Sequence, residues 1–177
     1  MVELSGTVRE KIKKINLLLM DVDGVMTDGR INIDNNGCET KSFNVRDGHG
    51  IKLLQRGGIK TGIITGRSSE VVNYRAKELG IKIVRQGAKN KLDVYRDIVA
   101  DEGVYDEEVA YIGDDIVDLP VLKVVGFSSA VSDASSHIIK YVDYQTINKG
   151  GNGAVREVAE LILRVKGLWN ELTARYF

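Results

Sequence analysis

The sequence predicts an α/β fold, a doubly wound and mostly parallel sheet, and three observations carry that expectation. Short apolar runs at Ile15–Met20, Lys60–Ile64, Ile81–Val84, Val109–Ile112 and Gly126–Val131 read as strands buried on both faces. Helical patterns of about 10–15 residues separate them, which implies right-handed crossovers between parallel strands. The unusual polar residues Asp21, Thr65 and Asp114 fall just after run ends, where such sheets place their ligands.

Taken in order, Ile15–Met20 leads into DVDGVMTD at 21–28, so two aspartates one residue apart emerge from a buried strand. The segment from Arg30 to Val45 breaks the rhythm. Ile31 and Ile33 alternate with polar residues, Asn36–Gly37 marks a turn, and Phe43 and Val45 alternate on the return. This predicts a β-hairpin, with a loop longer than two residues, standing as a flap over residues 30–45. Ile51, Leu53 and Leu54 begin a helix, Val71, Val72 and Leu79 mark a second, and Leu92, Tyr95, Ile98 and Val99 a third. Val155, Val158, Ala159, Ile162 and Val165 repeat at helical spacing and predict a packed face. The tail, 167–177, is aromatic from Trp169 to Phe177 and is expected as subunit contact or frayed terminus.

Between Thr65 and Lys91 there is room for one helix, one strand and a loop, and no lid domain fits there. The site is then open or covered by a neighbouring subunit. Because reacting centres exclude water, an oligomer is expected.

Chain length suits a single domain, 1–177, and Pro120 is the only proline, so no Pro-rich linker divides it. With 25 basic and 25 acidic residues, bulk electrostatic binding to nucleic acid or an anionic membrane is not expected. Cys38 is alone and forms no intrachain disulfide. No apolar stretch approaches ~20 residues and no signal-peptide core opens the sequence, so a cytoplasmic location is expected.

The DVDG spacing suits a carboxylate nucleophile, Asp21, with an acid/base, Asp23, two residues on. A carboxylate is ionised at neutral pH and attacks phosphorus without a base. The same residues also serve as turns or helix caps elsewhere. GDDIVD at 113–118 puts three acids within five residues after a buried strand, a repulsive cluster that a hard cation relieves. Mg²⁺ fits an all-oxygen set made of Asp21, the Asp23 backbone carbonyl and Asp114. Asp115 and Asp118 are then candidates for indirect support, or simply acids at a helix start. Thr65 and Gly66, in IITGR, offer a hydroxyl and backbone N–H groups to phosphate oxygens. A lysine in GAKNKL would neutralise phosphate charge, with Lys89 and Lys91 both eligible. In this order the parts point to magnesium-assisted phosphoryl transfer.

With these motifs, the chain resembles the haloacid dehalogenase superfamily of aspartate-nucleophile phosphatases from about Ile15 to Val165. DVDGVMTDGRI, FNVRDGHGIKLL, IITGR, NKL, GDDIVD and GGNGAVREV all correspond to segments of its capless branch acting on 3-deoxy-D-manno-octulosonate 8-phosphate (KDO 8-phosphate). The resemblance implies Asp21 as nucleophile, Asp23 as acid/base, and Asp21, Asp23 and Asp114 as magnesium ligands. It places Thr65 and Lys91, rather than Lys89, at the phosphate. It further implies Asn44, Val45, Arg46, Asp47 and Gly48 in the substrate pocket, with Arg67 and Arg75 near the sugar acid. Lys52 stands where relatives often carry arginine, and Asn152 of GGNG where many carry arginine too. It also implies a homotetramer whose hairpin and C-terminal tail build neighbouring sites, and a role in lipopolysaccharide precursor synthesis.

Within this class a nonulosonate 9-phosphate is the alternative substrate. A signalling receiver domain shares the sheet, aspartyl-phosphate, magnesium, threonine and lysine, but Asp23 should hasten the hydrolysis that a receiver needs slow. A non-catalytic scaffold is the remaining alternative, against which stands the occupancy of every expected catalytic position.

Overall fold

The computed structural model describes residues 4–176. Helix α1 (Gly6–Lys14) precedes strand β1 (Leu17–Met20), and the hairpin strands β2 (Asn32–Ile33) and β3 (Glu39–Thr40) follow. Then come α2 (Val45–Arg56), β4 (Lys60–Ile64), α3 (Glu70–Leu79), β5 (Ile83–Arg85) and α4 (Lys91–Glu102). The last part holds β6 (Val109–Gly113), α5 (Leu119–Leu122), β7 (Phe127–Ala130), α6 (Ser136–Ile139), β8 (Tyr144–Gln145), α7 (Ala154–Val165) and α8 (Trp169–Thr173).

The main sheet runs β5-β4-β1-β6-β7-β8, and every pairing in it is parallel. From β1 the chain builds outward through β4 and β5, then returns to β1's other side for β6, β7 and β8. The reversal leaves a crevice at the carboxyl end of β1. Alternation along β1 serves two cores: Leu18 and Met20 pack with Ile51, Val155 and Ile162, whereas Leu17 and Leu19 pack with Tyr95, Ile98 and Val121. Helices α1, α2, α3 and α7 cover one face and α4, α5 and α6 the other. Each large aliphatic side chain so buried contributes about 1.5–3 kcal/mol. Gly50 brings α2 hard against α7, since a Cβ there would stand 3.0 Å from Arg156 Cα.

All five expected strands form. Apolar patterning alone does not announce α1, the short helices α5, α6 and α8, or the two-residue β8, and it places the hairpin's return too late. Val45 is not on a strand: Asn44 Oδ1 accepts the N–H groups of Arg46 at 2.7 Å and Asp47 at 3.4 Å, which caps a helix starting at Val45. Five residues, 34–38, join the two strands, closed by the Asp34 N–H donating to Cys38 O at 3.1 Å, with Gly37 left-handed at φ +80°. The described part of the tail packs on its own chain. The Trp169 ring lies against the Arg164 and Arg156 guanidinium groups at 4.3 and 5.4 Å, and the Tyr176 hydroxyl meets His49 Nε2 at 3.1 Å. Phe177 lies outside the described residues. Among the described residues no helix is long and apolar enough to cross a membrane.

Candidate active site

The crevice over β1 is a cleft of about 580 Å³ lined by Asp21, Asp23, Thr65, Arg67, Lys91 and Asp114, among others. β1 delivers the first of these with its backbone still in the ladder, the Asp21 N–H donating to Ile112 O at 3.1 Å. Thr65 follows β4; its N–H donates to Arg85 O at 2.9 Å and its carbonyl accepts from Ala88 at 3.0 Å, which pins two strand-end loops together. Lys91 opens α4, where Asn90 Oδ1 caps the Leu92 N–H at 3.1 Å.

Lys91 Nζ lies 2.7 Å from both Asp21 Oδ2 and Asp118 Oδ1. Burial opposes that ammonium, but the charges of Asp118 and Asp21 outweigh it and hold the lysine's pKa above its ordinary value. Asp118 is 0% exposed and fully engaged. Its Oδ1 also accepts from the Tyr111 hydroxyl at 2.6 Å, and its Oδ2 from the backbone N–H groups of Asp114 at 3.0 Å and Asp115 at 3.3 Å. It therefore orients Lys91 and shapes the loop that presents Asp114. Asp115 instead bonds the neighbouring N–H of Ile116 and is exposed.

Three carboxylates, of Asp21, Asp114 and Asp118, bring one oxygen each to within 4.8 Å of one another. Lys91 alone cannot balance them. Burial first, and then the Asp118 charge, push Asp21 up to about 6 against the pull of Lys91. Burial, Asp118 and Asp21 push Asp114 up to about 8. Asp118 is saturated by four partners. Asp21 carries one partner per oxygen, the Val22 N–H on Oδ1 at 2.6 Å and Lys91 on Oδ2 at 2.7 Å. Asp21 and Asp114 are therefore the carboxylates with lone pairs left for a cation. Two carboxylates with room for water and a phosphate oxygen fit Mg²⁺. Gly24 makes the cradle possible: at φ +87°, a Cβ there would lie 2.2 Å from Asp114 Oδ2. Gly150 is held to the same loop, since its own Cβ would strike the Gly24 carbonyl.

Asp23 has cationic neighbours that the sequence did not reveal. Lys41 Nζ stands 2.5 Å from Asp23 Oδ1 and 3.3 Å from Glu39 Oε1, and Arg67 Nη2 donates to Glu39 Oε1 at 2.8 Å. Hydrogen bonding from Ser69, then from Arg67 and Lys41, holds Glu39 down at about 2, so it stays an anion. Alternation in a polar hairpin gave no sign that its single lysine turns inward.

Of the expected site residues, the structure gathers Asp21, Asp23, Thr65, Gly66, Arg67, Lys91 and Asp114 around one cleft. Others lie elsewhere in the chain. Asp47 is buried beneath α7, where its Oδ1 accepts from the Arg156 N–H at 2.7 Å and its Oδ2 from the Gly153 N–H at 3.2 Å; it caps that helix. Gly48 leaves space for Arg75, whose Nη2 a Cβ would meet at 2.5 Å. Arg75 itself donates to Glu78 at 2.8 Å and to Asn44 O at 3.4 Å, with its guanidinium over Phe43. Lys52 reaches toward Gly80, which closes α3 at the far end of the sheet. Asn44, Val45 and Arg46 stand at the amino end of α2, the helix that leads into β4. Arg46 and Asn152 line a separate depression with Arg156.

A family model for haloacid dehalogenase-like hydrolases matches residues 47–126. The KdsC 3-deoxy-D-manno-octulosonate 8-phosphate phosphatase of Escherichia coli is 46% identical over 168 residues, covering 95% of this chain and 89% of its own. Among solved structures, the Moraxella catarrhalis 3-deoxy-D-manno-octulosonate 8-phosphate phosphatase, in complex with magnesium, phosphate and KDO, superposes with a TM-score of 0.94 at 42% identity, over 96% of this chain and 98% of that one. The cobalt-bound Haemophilus influenzae phosphatase gives 0.86 at 42% identity, over 89% and 92%. With nearly half its residues identical to the Escherichia coli protein along almost its entire length, this chain belongs to the KdsC branch of the haloacid dehalogenase-like hydrolases.

Proposed function

We propose that the chain is a magnesium-dependent phosphatase that hydrolyses KDO 8-phosphate to KDO and inorganic phosphate. The observation that carries this reading is the meeting of Asp21, Lys91 and Asp114 around one cleft, in a chain so close to KdsC. An Asp21 carboxylate oxygen attacks phosphorus as the bond to the sugar oxygen breaks, and Asp23 gives its proton to that leaving oxygen. Asp23 then takes a proton from water, which attacks phosphorus and releases phosphate from Asp21. Lys91 and the Thr65–Gly66 turn hold the phosphate oxygens. When bound by Asp21, Asp114 and the Asp23 carbonyl, magnesium neutralises charge on the phosphate and the carboxylates.

Arg67, at the cleft wall, is the proposed contact for the sugar acid, with Asn44, Val45 and Arg46 beyond it. The roles of Asp47, Gly48, Lys52 and Arg75 are proposed as support for that wall or for an adjoining subunit's pocket. The proposal includes a single domain with a flap, a homotetramer, a cytoplasmic setting and a place in lipopolysaccharide precursor synthesis. Assembly is supported by the exposed apolar side chains Ile31 (52%), Ile33 (59%) and Val45 (81%) beside an uncovered cleft. The uncharged Asn152 keeps a nonulosonate 9-phosphate as the second reading.

Steady-state kcat/KM with magnesium, on KDO 8-phosphate, a nonulosonate 9-phosphate and simple hexose phosphates, tests the assignment. A preference of about 10-fold or more for KDO 8-phosphate, a gap of ~1.4 kcal/mol, supports it. Equal low rates on all of them sink it.

A further inference from the structure

Lys41 sits one residue beyond β3, on an excursion whose Ile31 and Ile33 face outward, yet its own side chain is 1% exposed. Withdrawing an ammonium from water costs several kcal/mol unless opposite charges meet it. Here they do: Asp23 and Glu39 take its nitrogen, and Arg67 bridges to Glu39 from the other side. Two of these four groups belong to the hairpin and two to the loops after β1 and β4. The box therefore ties the flap to the chemistry of its own subunit.

The consequence for Asp23 is an asymmetry between its oxygens. Oδ1 is bonded to Lys41 at 2.5 Å, while Oδ2 has Arg67 Nε at 3.7 Å, beyond hydrogen-bond reach. We propose that Lys41 is a positioning residue for the proton-transfer step: it holds Oδ1 and so leaves Oδ2 to exchange the proton with the leaving oxygen and later with water. This rests on the reading of Asp23 as acid/base. A lysine that only fastened the hairpin would influence all substrates alike, whereas one that aligns the acid matters most where the leaving group needs a proton.

First-turnover release of the leaving group, measured by rapid quench, separates the two roles. In Lys41→Met, release from the sugar-acid phosphate should slow by roughly 30-fold, and release of p-nitrophenolate, which departs without protonation, by less than about 3-fold. Lys41→Arg should restore most of the loss, and KM should stay within about 3-fold. Adding Lys41→Met to Asp23→Asn should cost less than about 2-fold more, because the group being positioned is already disabled. Equal slowing with both leaving groups, or full additivity with Asp23→Asn, overturns the proposal. Melting curves verify folding, and Lys41→Gln takes the place of Lys41→Met if the latter does not fold. A wild-type protein idle on KDO 8-phosphate but active on another alkyl phosphate refutes the substrate reading alone, and the same comparison then runs on that phosphate.

Discussion

Replacing Gly24 by alanine should weaken magnesium binding more than it weakens the fold. The new Cβ would lie 2.2 Å from Asp114 Oδ2, where ordinary contact begins at 3.4 Å, so that oxygen must retreat by about 1.2 Å. The Gly24 loop cannot give way instead, because the Gly151 N–H donates to Val25 O at 2.9 Å and Gly150 abuts the Gly24 carbonyl. A displacement of that size is more than half of a Mg–O bond of ~2.1 Å. Disturbing a ligand's support typically lowers metal affinity by about 10–100-fold. The left-handed φ of +87° adds about 1–2 kcal/mol of destabilisation. Activity titrated against magnesium concentration measures the first effect, and thermal melting in chelator the second, as a drop of about 2–8 °C. A half-saturating magnesium concentration within about 2-fold of wild type would refute the cradle argument, whatever the melting temperature does.

Asp21→Asn should abolish turnover, because an amide cannot form the phosphoenzyme, while circular dichroism stays unchanged; wild-type turnover would remove Asp21 from its role. Asp47→Ala should leave two N–H groups at the start of α7 without their acceptor and cost about 1–3 kcal/mol, read as a lowered urea midpoint; an unchanged midpoint contradicts the capping role. The raised carboxyls of Asp21, about 6, and Asp114, about 8, favour the protonated folded state over an unfolded chain with pKa ~3.9. Their stabilising contribution is full below that unfolded value and is lost as pH rises through 6 and 8. The magnesium-free protein should therefore lose thermal stability across this range, and saturating magnesium should raise Tm by more at pH 8 than at pH 5. An equal gap at both pH values would count against the acid cluster as the binding site.

Much of this was legible because burial on both faces of a parallel strand leaves a continuous apolar run. Leu17–Met20, Lys60–Ile64 and Val109–Gly113 stood out for that reason, and the polar residues at their ends marked the cleft. Short elements left no such trace: β8 is two residues long, and its Tyr144 is an ordinary aromatic until the sheet supplies a neighbour. The hairpin misled at its return because Phe43 and Val45 alternate by coincidence, with Asn44 ending the strand pattern and capping α2. Asp118 was visible as an acid, but its saturation by Tyr111, Lys91 and two N–H groups depends on chain separated by up to 27 residues. Lys41 was illegible for a related reason: whether a lysine in a polar loop turns inward depends on partners, and Asp23 lies 18 residues away.

The seating of Gly150 and Gly151 on the Gly24–Asp28 turn also bears on how the enzyme comes into being. Those glycines emerge from the ribosome long after the first aspartates, so a half-made chain lacks the piece that clamps its nucleophile loop. Catalytic competence should therefore arrive abruptly, late in synthesis, and nicking the chain between β8 and α7 should silence a centre whose reacting side chains are all still present.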